Sequence, residues 1–293
     1  MAAITAALVK DLRERTGAGM MDCKKALVAC DGDMDAAIDF LREKGLAAAA
    51  KKAGRIAAEG VVGSFVCSEC GAGAIVEVNC ETDFVAKGDQ FHNFVDEIAG
   101  TILKNHCKTL EEAKELTKDL LADATVKMGE KFDLRRFVII DKAEGENIGT
   151  YIHMGGKIAC AVKVKGGDAE LVKSLAMHIA ANNPSYIEMK DVPASEIEHE
   201  REVQLETAKS DPKLMSKPQE FLTKIIDGKV NKHFAEMILM NQAFLMDDSK
   251  TISQVLSENK ASIVSFVRYM VGEGIEKRHD DFAAEVMKEA GNN

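Results

Sequence analysis

Gly63-Ser64-Phe65-Val66 and Val76-Glu77-Val78 decide the fold of this chain, because both stretches return later in the sequence at one spacing. Their counterparts are Gly149-Thr150-Tyr151-Ile152 and Val162-Lys163-Val164, each 86 residues further on. The apolar positions of the following helix recur at a spacing of 80: Phe91, Val95 and Ala99 correspond to Leu171, Leu175 and Ile179. We interpret the pattern as an internal duplication of two α+β halves, each a small antiparallel sheet with helices on one face.

The first half is longer than the second by six residues between its strand and its helix, and Thr82-Asp83-Phe84-Val85-Ala86-Lys87 lies there. Extra residues in a short connection are usually functional or disordered. This segment carries an aromatic residue, aliphatic residues and both signs of charge, which is not the composition of a flexible linker. It is therefore a candidate binding site. The alternative is a well-packed loop with Phe84 turned into the core.

A second candidate is the run from Arg13 to Met21, which places a tight turn with Gly17 and Gly19 between two helices. Met20 and Met21 follow this turn. Exposed methionines suit an adaptable contact with another protein. The open alternative is that both fill the core of a small helical bundle.

The domain plan follows from these patterns. We expect an α+β fold with an N-terminal three-helix docking domain and linker, a duplicated core, an inserted helical hairpin and a C-terminal module. The third N-terminal helix is expected to end at Gly45, and the second strand of each half to have one buried face. The predicted boundaries are 1–55, 56–146, 147–190 with 241–274, 191–240, and 275–293.

The composition and charge of the chain argue against several classes of function. A charged fraction of 29% and a hydrophobic fraction of 46% are typical of soluble globular proteins. The net charge of −10 argues against nucleic-acid binding as the main role, because phosphate contacts need clustered Lys and Arg. No apolar run is long enough to span a bilayer, and Met1-Ala2-Ala3-Ile4 does not begin a signal peptide. We expect a cytoplasmic protein without a membrane partner.

The seven cysteines are an odd number and are expected to be reduced thiols. Cys67-Ser68-Glu69-Cys70 is a single CxxC pair, and no second pair completes the four ligands of a zinc site. We interpret it as two thiols in a hairpin turn. A thiol or zinc enzyme built on this pair is one alternative function.

Enzymatic chemistry has little other support. The sequence contains no phosphate-binding GxxxxGK[ST] loop, no GxGxxG run after a strand and no GxSxG nucleophile elbow. We therefore expect no catalytic residues and no cofactor. A second alternative function is an RNA-binding module that uses Lys51, Lys52 and Arg55, which the acidic balance of the chain argues against.

Both candidate stretches closely resemble the signature motifs of the bacterial elongation factor Ts family, and the match extends over essentially the whole chain. The resemblance implies a UBA-like N-terminal bundle, a coiled-coil or dimerisation hairpin at 191–240 and a partner-contacting C-terminal helix. It implies a non-enzymatic guanine-nucleotide exchange factor in translation elongation. The partner is elongation factor Tu, in its GDP-bound and nucleotide-free states; a homodimer or a 2:2 complex stays open.

The resemblance also implies roles for single residues. Asp83 and Phe84, between Thr82 and Val85, correspond to a pair that intrudes into the partner: the phenylalanine enters an apolar gap, and the aspartate acts on the partner's Mg²⁺. This chain is expected to hold no metal itself. His153 corresponds to a histidine that contacts the partner near its phosphate loop. The turn that carries Arg13, Gly17, Gly19, Met20 and Met21 corresponds to the N-terminal contact.

Overall fold

The computed structural model describes residues 4–67, 69–210, 214 and 218–275. The chain folds into two compact units. Of the described residues, the first unit contains those up to Ile139, those of Ile152–Ala159 and those from Tyr269 to Ile275. The second unit contains the described residues of Ile140–Tyr151 and Cys160–Arg268. Helices and small antiparallel sheets occur together, so the expected α+β class is confirmed. The five-part division of the chain stays a prediction.

The first unit begins with three helices. Thr5 caps the first helix by accepting a hydrogen bond from the N–H of Leu8, and Asp33 caps the third in the same way through Ala36. Gly17 ends the first helix with a left-handed φ of 67°. The helices are α1 (Ala6–Thr16), α2 (Met20–Ala29) and α3 (Met34–Lys52). Their shared core contains Val9, Leu12, Ala18, Cys23, Ala26, Leu27, Ala37 and Leu41.

The expected end of the third helix at Gly45 is wrong, since α3 continues to Lys52. Gly45 is buried where α3 packs against helix α6 (Leu110–Met128). A Cβ at this position would lie 2.9 Å from Cγ2 of Val126 and 3.1 Å from the carbonyl oxygen of Ala122. The glycine permits two helices to approach closely and does not terminate one.

The first sheet has the strand order β1-β2-β3, and β1 pairs with β2 in antiparallel orientation. Helix α5 contacts β1 and β2, and its Phe91 and Phe94 form a ring cluster with Phe132. The remaining elements of this part are β1 (Glu59–Cys67), β2 (Ala72–Cys80), α4 (Asp83–Ala86), α5 (Asp89–Lys104) and β3 (Asp133–Asp141).

The prediction of one buried face for the second strand is wrong in the first half. All nine residues of β2 are buried, including Glu77 and Asn79. The strand lies in the centre of its sheet, where the carboxylate of Glu77 accepts from Arg135 and Arg136, and Nδ2 of Asn79 donates to the carbonyl oxygen of Glu59. A central strand can therefore alternate in polarity without having an exposed face.

The second sheet repeats the order of the first: β4-β5-β8, with the second strand of the hairpin again in the middle. Helices α8 (Ala194–Lys209) and α9 (Gln219–Ala235) contact each other. The elements are β4 (Glu146–His153), β5 (Ile158–Lys165), α7 (Ala169–Asn182), α8 (Ala194–Lys209), α9 (Gln219–Ala235), β6 (Ala243–Phe244), β7 (Asp247–Thr251), α10 (Ile252–Glu258) and β8 (Ser262–Met270). The C-terminal helix expected within 275–293 lies outside the described residues.

The expectation that all seven cysteines are reduced is wrong for one pair. Cys67 and Cys70 form a disulfide at the turn between β1 and β2. The antiparallel pairing of these strands ends at Cys67 opposite Ala72, which brings the two sulfur atoms together. Cys23, Cys30, Cys80, Cys107 and Cys160 are thiols.

Candidate functional site

The most exposed large apolar side chain described is that of Phe84, which is 86% accessible to solvent. It stands on α4, a single helical turn capped by Thr82, whose hydroxyl accepts the N–H of Val85. Val85 packs against the core of the first sheet, and Ala86 is buried. Phe84 is therefore not turned into the core, and we call residues 82–87 the Phe84 turn.

Asp83 lies beside Phe84 at the start of α4. Its carboxylate pairs with Nζ of Lys87 at 2.6 Å, across one turn of helix. This hydrogen bond, with the charge of Lys87, holds the pKa of Asp83 below its usual range. The Phe84 turn thus presents an ionised carboxylate next to an exposed aromatic ring.

The tip of the β4–β5 hairpin belongs to the same unit as the Phe84 turn. His153 and Met154 are exposed there, and Met154 has a positive φ of 51°. The carbonyl oxygen of Gly156 accepts the N–H of Val62 at 2.7 Å. This bond ties the tip to β1.

Lys157, at the same tip, pairs with the carboxylate of Glu59 at 2.5 Å. After the hydrogen bond and charge of Lys87, the charge of Lys157 also lowers the pKa of Asp83. Lys157 is therefore within electrostatic range of Asp83. The hairpin tip therefore adds positive charge near the Phe84 turn, although the two segments are far apart in the sequence.

A groove opens between α1 and α2. Met20 and Met21 are 59% and 62% exposed, so the alternative in which both fill the bundle core is wrong. Arg13 is also exposed, and Gly19 precedes α2 at its N-cap position. The groove is lined by Ile4, Thr5, Ala6, Val9, Lys10, Arg13, Met20, Met21 and Lys24. An apolar floor with cationic rims suits a protein segment that carries acidic and apolar side chains.

The cations of the proposed RNA-binding module are partly used inside the first unit. Arg55 pairs with the carboxylate of Glu81 at 3.1 Å. Nζ of Lys52 donates to the carbonyl oxygen of Gly129 at the end of α6. Lys51 has neither of these contacts.

The zinc alternative has no candidate site among residues 4–67, 69–210, 214 and 218–275. Within these ranges no three His, Cys, Asp or Glu side chains are grouped so that they could hold a metal ion. Burial raises the pKa of the thiols of Cys80 and Cys160 to about 12, which disfavours their reactive thiolate forms. In the same part of the chain no helix is both long and apolar enough to cross a membrane.

Some side chains of the site were not singled out from the sequence. Lys87 was predicted only as the end of the inserted segment, and neither Met154 nor Lys157 was predicted as a site residue. Met154 is 67% exposed. The signal that was available is the charge pattern: Asp83 and Lys87 are spaced i, i+4, which on a helix predicts an ion pair.

An α+β fold that presents a phenylalanine and several methionines on ordered turns is typical of a protein-binding factor. Comparison with known proteins points to one family. The family model described as elongation factor TS matches residues 81–273. An elongation factor Ts from Photorhabdus laumondii subsp. laumondii is 48% identical over 286 residues, and one from Lacticaseibacillus casei is 46% identical over 295. Each alignment covers 98% of both chains. The chain belongs to the elongation factor Ts family.

Proposed function

We propose that this protein is a guanine-nucleotide exchange factor that binds GDP-bound elongation factor Tu and promotes GDP release during translation elongation. Family membership supports the reaction. The observation that carries the mechanism is the 86% exposure of Phe84 on an anchored helical turn, beside the ionised Asp83. An ordered chain that leaves a phenylalanine in water offers it to an apolar gap of a partner.

Exchange requires differential binding. A GTPase holds GDP through Mg²⁺, a lysine and backbone N–H groups around the phosphates. A factor loosens GDP only if it binds the distorted, nucleotide-poor state of the GTPase more tightly than the GDP-bound state. The coupling is reciprocal, so GDP or GTP must in turn weaken the binding of the factor.

Each part of the surface has a place in this scheme. Phe84, flanked by Thr82 and Val85, enters an apolar gap of the partner's nucleotide domain, and Asp83 competes for or repels groups around Mg²⁺. The hairpin tip with His153 approaches the phosphate loop. The groove at Arg13, Met20 and Met21 docks the N-terminal bundle and raises the affinity of the complex.

The energy available from burying one phenylalanine shows that Phe84 does not act alone. Burial of one phenylalanine side chain contributes about 1.5–3 kcal/mol, and a tenfold change in rate corresponds to about 1.4 kcal/mol. Phe84 can therefore supply about one to two powers of ten in release rate. The hairpin tip and the N-terminal groove must supply the rest of any larger acceleration.

The proposal includes the finer features of the family. The protein acts without a cofactor, a catalytic residue or a metal of its own, and it binds both the GDP-bound and the nucleotide-free partner. It acts in the cytoplasm and does not bind nucleic acid directly. The N-terminal bundle is UBA-like, and the α8–α9 hairpin serves as a coiled coil for dimer or partner contact, in a homodimer or a 2:2 complex.

The test is stopped-flow release of a fluorescent GDP analogue from elongation factor Tu, with this protein in catalytic amounts. We expect strong acceleration by the wild type and a loss of about ten- to a hundredfold for Phe84→Ala. The matched control is Leu116→Ala, since Leu116 is an exposed apolar residue of α6, 41% accessible. Release at the uncatalysed rate with folded wild-type protein would overturn the proposed function. Full activity of Phe84→Ala would remove Phe84 from the mechanism.

A further inference from the structure

A carboxylate far away in the sequence holds the base of the Phe84 turn. Oε2 of Glu130 accepts the backbone N–H of Glu81 at 2.9 Å and that of Thr82 at 3.0 Å. Its Oε1 accepts the hydroxyl of Thr82 at 2.5 Å. Three donors immediately before Asp83 and Phe84 thus converge on one side chain that follows α6.

The contact is reciprocal. The carboxylate of Glu81 accepts the backbone N–H of Lys131 at 2.7 Å and the guanidinium of Arg55 at 3.1 Å. Two dipeptides, 81–82 and 130–131, therefore bind each other's backbone through their glutamates, and we call this arrangement the glutamate clasp. Burial raises the pKa of Glu81, but the Lys131 and Arg55 contacts outweigh it, so its pKa lies below the usual value.

The Phe84 turn needs such support. Helix α4 has four residues, too few for a helix that is stable through its own hydrogen bonds. The ring of Phe84 is 86% exposed, so its own packing does not fix its direction. On one side Val85 and Ala86 pack into the core; on the other the clasp holds Glu81 and Thr82. These two attachments together define where Phe84 points.

We propose that Glu130 is a positioning residue for nucleotide exchange, which through the glutamate clasp holds Phe84 ready for insertion into the partner. This role rests on the proposed function. It predicts that Glu130 acts through Asp83 and Phe84, which follow directly on the residues that the clasp holds. An aromatic side chain on an already ordered turn enters a gap without the entropic cost of ordering its backbone.

The substitution that isolates the clasp is Glu130→Gln. Glutamine has nearly the same shape, but only one of its two terminal atoms accepts hydrogen bonds. The donors of Glu130 are divided between both oxygens, with the Thr82 hydroxyl on one and two N–H groups on the other. One set must therefore lose its acceptor. The matched control is Glu112→Gln, because Oε2 of Glu112 also accepts a backbone N–H, that of Lys108 at 2.8 Å, away from the Phe84 turn.

The experiment is a double-mutant cycle with Phe84→Ala, measured as GDP release at several concentrations of the factor. Loss of a hydrogen bond to a charged group predicts a roughly tenfold lower maximal release rate for Glu130→Gln. The half-saturating concentration is expected to be unchanged, because the affected contact forms only as GDP is loosened. In the Phe84→Ala background Glu130→Gln should cost clearly less than in the wild type, and the remaining loss is the part that acts through Asp83. Glu112→Gln should match the wild type.

If Glu130 only stabilised the fold, Glu130→Gln would lower the fraction of folded, active protein. The loss in release rate would then be the same in the wild-type and the Phe84→Ala backgrounds, and that result overturns the proposal. Wild-type rates in Glu130→Gln also overturn it. Hydrogen exchange at the amides of Glu81 and Thr82 checks the clasp without the GTPase; it should be faster in Glu130→Gln. If the wild type does not accelerate release but these amides respond, the proposed function has failed and the clasp has not. Glu130→Asp, which keeps the charge but shortens the reach, replaces Glu130→Gln if that variant does not fold.

Discussion

The carboxylate of Glu77 accepts the backbone N–H of Gly272 at 2.9 Å, although 195 residues separate them. Glu77 is fully buried in β2 and also pairs with Arg135 at 2.9 Å and Arg136 at 2.6 Å, both from β3. Gly272 has a φ of 72°, and a Cβ there would lie 2.7 Å from the carbonyl oxygen of Ala58. One carboxylate therefore joins the central strand of the first sheet to the chain that follows β8.

Removal of this carboxylate should destabilise the first unit strongly. Glu77→Ala removes one shared acceptor from two guanidinium groups and a backbone N–H, although both arginines keep contacts with the segment 270–273. Loss of one partner of a buried pair costs about 3–5 kcal/mol, and these remaining contacts place the expected cost at the lower end of that range. The free energy of unfolding in urea measures the effect. Glu115→Ala is the control, since Glu115 is exposed and pairs with Lys118 at 3.4 Å; it should change stability by less than about 1 kcal/mol. Equal losses in both variants would contradict this role of Glu77.

Local signals predicted local structure well. The class of the chain and the turn at Gly17 and Gly19 were predictable, because strand patterns and glycine turns are properties of neighbouring residues. The shared strand order of the two sheets accords with a repeat that was visible in the spacing of β-branched residues. Predictions from neighbouring residues were wrong where the surroundings of a residue come from a distant segment of the chain. Gly45 resembles a helix terminator until α6 is known, and Glu77 resembles the polar side of a half-exposed strand.

The candidate site was predictable in position but not in its details. The length difference between the halves marked the Phe84 turn, yet a phenylalanine in the core and one in solvent look identical in a sequence. The same holds for Met20 and Met21, where exposure decided between two alternatives. Glu130 could not be found, because its three donors lie 48 and 49 residues away and no periodicity connects them.

His178 should make the stability of the second unit depend on pH. Its Nδ1 accepts the N–H of Leu245 at 3.1 Å, so the proton is on Nε2, which donates to Oε1 of Gln242 at 2.9 Å. Burial, partly opposed by the Gln242 hydrogen bond, lowers its pKa. Below about pH 6.5 His178 becomes protonated in the unfolded chain, whereas in the folded protein it stays neutral because its pKa is lower. Stability should therefore fall by up to about 1.4 kcal/mol per pH unit until the lowered pKa is reached.

The measurement is the difference in unfolding free energy between pH 7.5 and 5.5. His178→Gln should reduce this difference, because the neutral amide does not titrate. His199→Gln is the control, since His199 is an exposed residue of α8, and it should keep the wild-type difference. A wild-type pH dependence in His178→Gln would assign the effect to other groups.

The Cys67–Cys70 disulfide should matter little for exchange. The bond closes a loop with a sequence separation of three, so it should stabilise by less than the roughly 3 kcal/mol of a 15-residue loop. The double variant Cys67→Ser, Cys70→Ser is therefore expected to unfold at a slightly lower urea concentration. It should promote GDP release at the wild-type rate. Loss of exchange activity in a folded double variant would restore a redox or metal role for this pair.

Two helical glycines should respond to alanine with opposite signs. In an open helix Gly→Ala stabilises by about 0.5–1 kcal/mol, because glycine loses more backbone entropy on folding. Gly228 of α9 has no atom within 4 Å of the position of an added Cβ, so Gly228→Ala should show this gain. At Gly45 the added methyl group would lie too close to the carbonyl oxygen of Ala122. This oxygen belongs to the backbone, so a change of side-chain rotamer cannot relieve the clash. Overpacking costs about 1–3 kcal/mol, so Gly45→Ala should lower the free energy of unfolding. A gain at both positions would show that α3 and α6 separate easily, and Gly45 would then have no packing role.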